Sequence, residues 1–262
     1  MADSGGTPMQ IEIAILSESG GRDYNEDACG HWNSDGLYCC VVSDGAGGHG
    51  GGDVASRLAV SSILGDFSGG SGMSPQAIAA ALDRANRAVI EHQSDDRRLR
   101  HMHTTATVLL VDTLSRRALW GHVGDSRVYC FRGGRVIVQT RDHSVLQSVI
   151  DGGVMDPVVL RNHPQRNVLL HALGSEDDFH ADVTPSALAL REGDAFMLCT
   201  DGLWEYVEEP AMERSLVKAD SPQEWLAMMQ AELLRHAKPG HDNYSALAVW
   251  LGDHRETTVI ME

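Results

Sequence analysis

Short apolar blocks separated by polar turns dominate the chain, and their periods differ from place to place. Residues 11–16 alternate apolar and polar positions, and 37–42 form a short apolar run that ends in Ser43-Asp44. Segments 104–112 and 117–123 read as a hairpin. Further strands are predicted at 127–131, 135–140, 194–200 and 244–251. Helical periodicity occupies 53–67, 75–92 and 222–236. The last two open with Ser74-Pro75 and Ser221-Pro222, a capping hydroxyl followed by proline where no amide donor is needed. No internal repeat is visible. Strands joined by short loops and punctuated by long helices predict antiparallel sheets packed with helices, an α+β arrangement in one domain spanning 1–262. Ser68 to Gly72 reads as an inter-helix loop, and 151–171, rich in Gly, Pro and Asn, as a surface lobe able to move.

Composition narrows the function classes. With 262 residues and 42% hydrophobic content the chain can bury a large core. Its formal charge is −16, from 37 acidic and 21 basic residues, so no broad cationic face exists for nucleic acid or anionic lipid. The opening MADSGGTPMQ lacks the cationic and apolar regions of a secretion signal, and no later run is long enough to span a bilayer, so a cytoplasmic protein is expected. Cys29, Cys39, Cys40, Cys130 and Cys199 are odd in number and show no CxxC spacing. Buried reduced thiols are expected in place of disulfides or zinc ligands.

The stretch VVSDGAGGHGGG contains Gly45-x-Gly47-x-x-Gly50, which fits the dinucleotide fingerprint. Its context does not. The acidic residue at the required distance, Asp66, falls at the end of the predicted helix 53–67, where the fingerprint needs a strand end, and Asp44 before the turn would repel a pyrophosphate. Lys218 and Lys238 follow no glycine-rich loop, which excludes a P-loop or kinase reading, and no GxSxG elbow is present.

Asp44-Gly45 instead belongs to a recurring construction. Acidic residues stand at the ends of four apolar strands: VVSDG (Asp44), HVGDS (Asp125), MLCTDG (Asp201), and GHDN (Asp242) before YSALAVW. A single Asp beside Gly is usually a turn or cap residue. Four converging carboxylates would be strongly unfavourable without cations among them, and all-oxygen ligation suits hard ions such as Mg²⁺ or Mn²⁺. Gly45 leaves the backbone free to turn its carbonyl onto a metal. Arg22-Asp23-Tyr24-Asn25-Glu26-Asp27 adds two adjacent carboxylates and a guanidinium fork suited to phosphate. His101 and His103 in HMH read as an exposed loop, with no further ligand placed to complete a zinc tetrahedron.

The ordered set RDYNEDA, SDGAGGHGGGDVAS, TTATVLLV, GHVGDSRVY, HPQRNVLLHALG, CTDGLWEYV and GHDNYSAL resembles the metal-dependent type 2C Ser/Thr protein phosphatases, in particular the compact bacterial type, from about residue 11 to 252. The resemblance implies a four-layer α/β/β/α sandwich of two antiparallel sheets flanked by helices, with two Mn²⁺ or Mg²⁺ ions at one end and a third, weaker metal. On matching positions it implies that Asp44 bridges two metals, that Asp201 and Asp242 hold the first, and that the Gly45 carbonyl, supported by Glu26 and Asp27, holds the second. Asp125 matches a residue that helps Asp201 hold the third, Arg22 the phosphate clamp, and 151–171 a flap beside the cleft.

The implied reaction is hydrolysis of phosphoserine and phosphothreonine in proteins by direct attack of a metal-bridging water, with no covalent phosphoenzyme. His49 is the sequence candidate for protonating the departing alkoxide. His171 stands where bacterial members often carry arginine, so no phosphate contact is carried over to it. Phosphoprotein substrates, a cognate Ser/Thr kinase and a monomeric state are the expected partners and assembly. The alternative is a catalytically weak regulatory domain of the same fold that binds a phosphoprotein; it would be marked by loss of metal carboxylates or of the clamp, and none is lost here.

Overall fold

The computed structural model describes residues 7–47, 51–156, 161, 163–177 and 179–252. Thirteen strands and six helices occur among these residues: β1 (Ile11–Glu18), β2 (Ala28–Ser34), β3 (Leu37–Ser43), β4 (Gly45–Ala46), α1 (Gly52–Ser68), α2 (Pro75–Asp95), β5 (His103–Thr104), β6 (Ala106–Asp112), β7 (Arg117–Val123), β8 (Arg127–Arg132), β9 (Arg135–Gln139), α3 (Val145–Asp151), β10 (Asp182–Val183), β11 (Leu188–Ala189), β12 (Ala195–Cys199), α4 (Asp201–Trp204), α5 (Glu209–Lys218), α6 (Pro222–His236) and β13 (Tyr244–Leu251).

One sheet runs β1-β13-β12-β8-β9 and the other β10-β7-β6-β3-β2, with β11 also on β7, and every pairing within them is antiparallel. The central strands are apolar on both faces because both are covered. On β3, Cys40 and Val42 pack between the sheets, whereas Cys39 and Val41 pack under α1 and α2. On β13, Leu247, Val249 and Leu251 face the inter-sheet core and Ala246, Ala248 and Trp250 face α5 and α6. Four layers result, α/β/β/α, as the resemblance implied.

Local chemistry explains the elements. Ser74 and Ser221 accept the amides of Ala77 and Glu224, each at 3.1 Å, and begin α2 and α6 as the Ser-Pro pairs predicted. The strand at β2, ACGHWNS, is absent from the expectations above because it is a polar edge strand paired on one side only. Its hairpin with β3 closes through Asp35 and Gly36 at φ 51° and 84°, the left-handed pair of a tight two-residue turn. The expected strand 104–112 is interrupted at Thr105, whose amide donates to the Asp44 carbonyl at 2.8 Å, leaving β5 and β6 on either side.

Four of the five cysteines are buried, Cys29 is half-buried, and all are free thiols on strands, as expected. Burial pushes the Cys40 and Cys130 thiols up to about 12, so they serve as small apolar side chains. No described helix is long and apolar enough to cross a membrane.

Candidate metal centre

Sheet pairing brings the strand-end carboxylates together. β3 and β7 each lie antiparallel to β6, so they run the same way and carry Asp44 and Asp125 past the same edge. β12 and β13 are antiparallel neighbours, so Asp201 after one and Asp242 before the other also share an edge. Ser126 and Thr105 hydroxyls meet at 2.6 Å, and Trp204 Nε1 donates to the Asp125 carbonyl at 2.9 Å, which joins the two edges. The result is a cleft of about 320 Å³ lined by Arg22, Glu26, Asp44, Gly45, Asp125, Asp201 and Asp242 together with His103, Thr104 and Thr105.

Each ligand candidate is held by groups that have no obvious meaning in the sequence. The Asp44 amide donates to Thr105 Oγ1 at 2.9 Å, and Thr104 Oγ1 donates to the Asp44 carbonyl at 2.7 Å. Asn243 ties three segments: its side chain accepts the Glu26 amide at 2.8 Å and donates to the carbonyls of Ser19 at 2.8 Å and Tyr24 at 3.0 Å. Asp27 stands just behind the lining; Thr200 Oγ1 donates to its Oδ2 at 3.0 Å, and Asn25 accepts its amide at 3.0 Å. Asn243 and the Thr104-Thr105 pair are the positioning residues that sequence reasoning missed. Their only signals are adjacency to Asp242 and an unbroken Thr-Thr at a strand entrance.

Close backbone packing accounts for the glycine after Asp44 and after Asp201. Gly45 is not among the positive-φ glycines, so it is not there for unusual backbone freedom. A Cβ on it would stand 2.1 Å from the Gly52 carbonyl oxygen and 2.6 Å from that of Glu26; one on Gly202 would stand 1.9 Å from the Asn243 carbonyl oxygen. Backbone packs on backbone at both Asp-Gly pairs, and no side chain fits.

The electrostatics of the cleft are those of an excess of negative charge. Desolvation, followed by the fields of Asp27, Asp201, Asp125 and Asp242, holds Asp44 well above the usual carboxylate range. Asp201 is raised likewise by desolvation and by Asp125, Glu205, Asp242 and Asp27. Asp125 and Asp27 are each pushed up to about 7, chiefly by desolvation, with Asp142 adding to the first and Asp242 and Glu26 to the second. Glu26 is raised by desolvation, partly offset by the nearby Gly52 amide. Two shielded carboxylate oxygens, Glu26 Oε1 and Asp27 Oδ1, have no hydrogen-bond partner among the described residues. Buried acceptors without donors, crowded carboxylates and an all-oxygen donor set together fit hard divalent cations.

Among the described lining residues Arg22 is the one guanidinium, exposed at the rim and paired with Asp242 at 2.9 Å. His49 lies outside the described residues. His103 departs from the exposed-loop expectation: it is half-buried on β5 and lines the cleft, while His101 is exposed. His171 is not a lining residue; its ring packs edge-on against His143 at 5.4 Å. Of the 151–171 segment, Asn167 and Leu169 line the cleft, while Arg161 and Arg166 pair with Glu209 and Glu205. Antiparallel pairing of β3 on both sides, and the Asp66 carboxylate held by Arg84 at 2.7 and 2.8 Å within α1, remove the dinucleotide reading.

Known proteins are similar to this chain in sequence and share its fold. Protein phosphatase PhpP of Streptococcus pneumoniae is 29% identical over 255 residues, covering 93% of this chain and 98% of that protein. The crystal structure of the Mycobacterium tuberculosis serine/threonine phosphatase PstP/Ppp superposes with a TM-score of 0.79 at 29% identity, covering 93% of this chain and 99% of that one. The catalytic domain of serine/threonine protein phosphatase PstP in complex with 2 manganese ions superposes with a TM-score of 0.78 at 26% identity, covering 94% and 100%. The profile of the family described as Protein phosphatase 2C matches residues 19–251, and the chain belongs to that family.

Proposed function

We propose that the chain is a metal-dependent protein phosphatase acting on phosphoserine and phosphothreonine in proteins, with 1–262 working as one catalytic domain. The observation that carries the reading is the ring of Glu26, Asp44, Asp125, Asp201 and Asp242 around one cleft, with Asp27 just behind it, shielded acceptor oxygens left unpartnered and Arg22 at its rim. In this reading two Mn²⁺ or Mg²⁺ ions would be held here: Asp44 would serve both, Asp201 and Asp242 would hold one, and the Gly45 carbonyl with Glu26 and Asp27 would hold the other. Asp125 and Asp201 would take a third, weaker ion. When bound, such cations supply Lewis-acid charge to a phosphoryl group and make water acidic enough to react near neutrality.

The protein's own groups do the rest. Arg22 leaves Asp242 to grip two phosphate oxygens, a change its exposure permits. Thr104, Thr105 and Asn243 keep Asp44 and Glu26 in place, so the donors need not reorganise as charge develops. Asn167 and Leu169 close one side of the cleft and touch the substrate beyond the phosphate. His49 is assigned, from its place in the sequence alone, as the proton donor to the departing alkoxide. The substrates are cytoplasmic phosphoproteins, a cognate Ser/Thr kinase among them, and the chain acts as a monomer.

The test is hydrolysis of a phosphothreonine peptide by wild type and Asp201→Asn, each stripped of metal and titrated with Mn²⁺. Turnover restored in wild type and absent in the variant supports the reading. Metal uptake without turnover in wild type would sink it in favour of a regulatory phosphoprotein-binding domain.

A further inference from the structure

We propose that His122, His143 and Asp182, with His180 orienting the Asp182 carboxylate from outside, form a second metal site outside the carboxylate cleft that takes a zinc-class transition-metal ion. One donor atom from each of His122, His143 and Asp182 lies within 4.8 Å of the other two. His122 near the end of β7 faces Asp182 in register on β10, and His143 comes from the loop after β9. His143 Nε2 stands 3.2 Å from Asp182 Oδ2, and His180 Nε2 stands 3.1 Å from Asp182 Oδ1. Metal–ligand bonds near 2.0–2.1 Å in a tetrahedron place neighbouring donors about 3.4 Å apart; His143 and Asp182 already stand at that spacing, and His122, within 4.8 Å of both, closes on them when the ion binds.

The surroundings are those of a ligand set, with more than an ion pair present. His122 Nε2 donates to the Arg141 carbonyl at 2.7 Å, which leaves Nδ1 with its lone pair and fixes the ring, the usual outer support of a metal-bound imidazole. His122 and His143 are buried, with ring centroids 4.5 Å apart, while Asp182 and His180 are exposed and open one side to solvent. The His171 ring, 5.4 Å from His143 and 5.5 Å from His180, walls a third side. Imidazoles with one carboxylate select zinc over magnesium, the reverse of the all-oxygen cleft.

The site also touches the catalytic edge. The His143 amide donates to the Gly124 carbonyl at 2.9 Å, and the Gly124 amide meets His143 Nδ1 at 3.3 Å. Ligation through Nε2 moves the ring proton to Nδ1 and displaces that second contact, immediately before Asp125. Zinc at the histidines would therefore adjust the turn that carries a cleft carboxylate.

The experiment uses the full chain with the cleft saturated by excess Mg²⁺. Equilibrium dialysis measures Zn²⁺ uptake, and Co²⁺ added in its place reports nitrogen ligation and tetrahedral geometry by visible absorption. One Zn²⁺ per chain is expected, displacing the Co²⁺ band. Asp182→Ala and His180→Ala, both at exposed positions, should weaken zinc at least about tenfold, while Asp201→Asn keeps wild-type zinc affinity. The proposal is overturned if wild type takes up no zinc over Mg²⁺, if Asp182→Ala binds it as wild type does, or if Asp201→Asn abolishes uptake. Far-ultraviolet circular dichroism of each variant confirms that it is folded.

Discussion

Asp27→Asn should make the metal-free protein more stable and its cation complex weaker. Asp27 is pushed up to about 7 from the ordinary 3.8, mainly by desolvation, with Asp242 and Glu26 adding repulsion. At about 1.36 kcal/mol per unit, carrying this charge at neutral pH costs on the order of 4 kcal/mol. The amide still accepts the Thr200 hydroxyl, but its NH₂ takes the place of the unpartnered Oδ1 and forfeits about 1–2 kcal/mol. A net gain of about 2–3 kcal/mol remains. A chain of 262 residues unfolds with an entropy of about 0.55 kcal/mol/K, so the metal-free Tm should rise by roughly 4–5 °C. Thermal unfolding in EDTA, then with increasing Mn²⁺, is the assay: the variant melts higher without metal, and wild type overtakes it as the cation binds. A variant no more stable than wild type in EDTA, or equal Mn²⁺ stabilisation of both, would refute the reasoning.

The same charge crowding predicts a pH slope. Asp27 and Asp125 hold protons up to about 7 when folded and release them near 3.8 when unfolded. Their contribution is therefore complete below 3.8 and is lost as pH rises through 7, so metal-free Tm should fall across that window and saturating Mn²⁺ should flatten the fall. Arg22→Ala breaks an exposed pair and should change stability by less than about 0.5 kcal/mol, yet raise KM and the inhibition constant of inorganic phosphate about 10- to 100-fold; unchanged phosphate inhibition would remove Arg22 from the clamp role. Gly45→Ala should unfold or inactivate the protein, since its Cβ would stand 2.1 Å from the Gly52 carbonyl oxygen, and a melt with native Tm and full activity would contradict the packing described here. Arg127→Gln strands the buried Asp142, which Arg127 holds through two 2.8 Å bonds, and should cost about 3–5 kcal/mol in urea unfolding.

The sequence by itself determined the elements whose cause is local or periodic. Strands such as β3 and β13 announce themselves because both faces are buried, and α2 and α6 because Ser-Pro starts them. Edge strand β2 and helices α3 and α5 were not legible: β2 carries polar residues because it pairs on one side, and the two helices are short with few buried positions. For the candidate site, the residue types were readable as acidic residues ending apolar runs. Their convergence was decided only by tertiary structure, because it depends on which strands are neighbours and in which direction they run. The same holds for Asn243, whose partners Glu26 and Tyr24 lie 217 and 219 residues away, and for the four histidines, which stand at unrelated points of the chain. Local sequence encodes propensity and burial period, whereas a site assembled across two sheets is encoded in long-range pairing, and no window of neighbouring residues contains it.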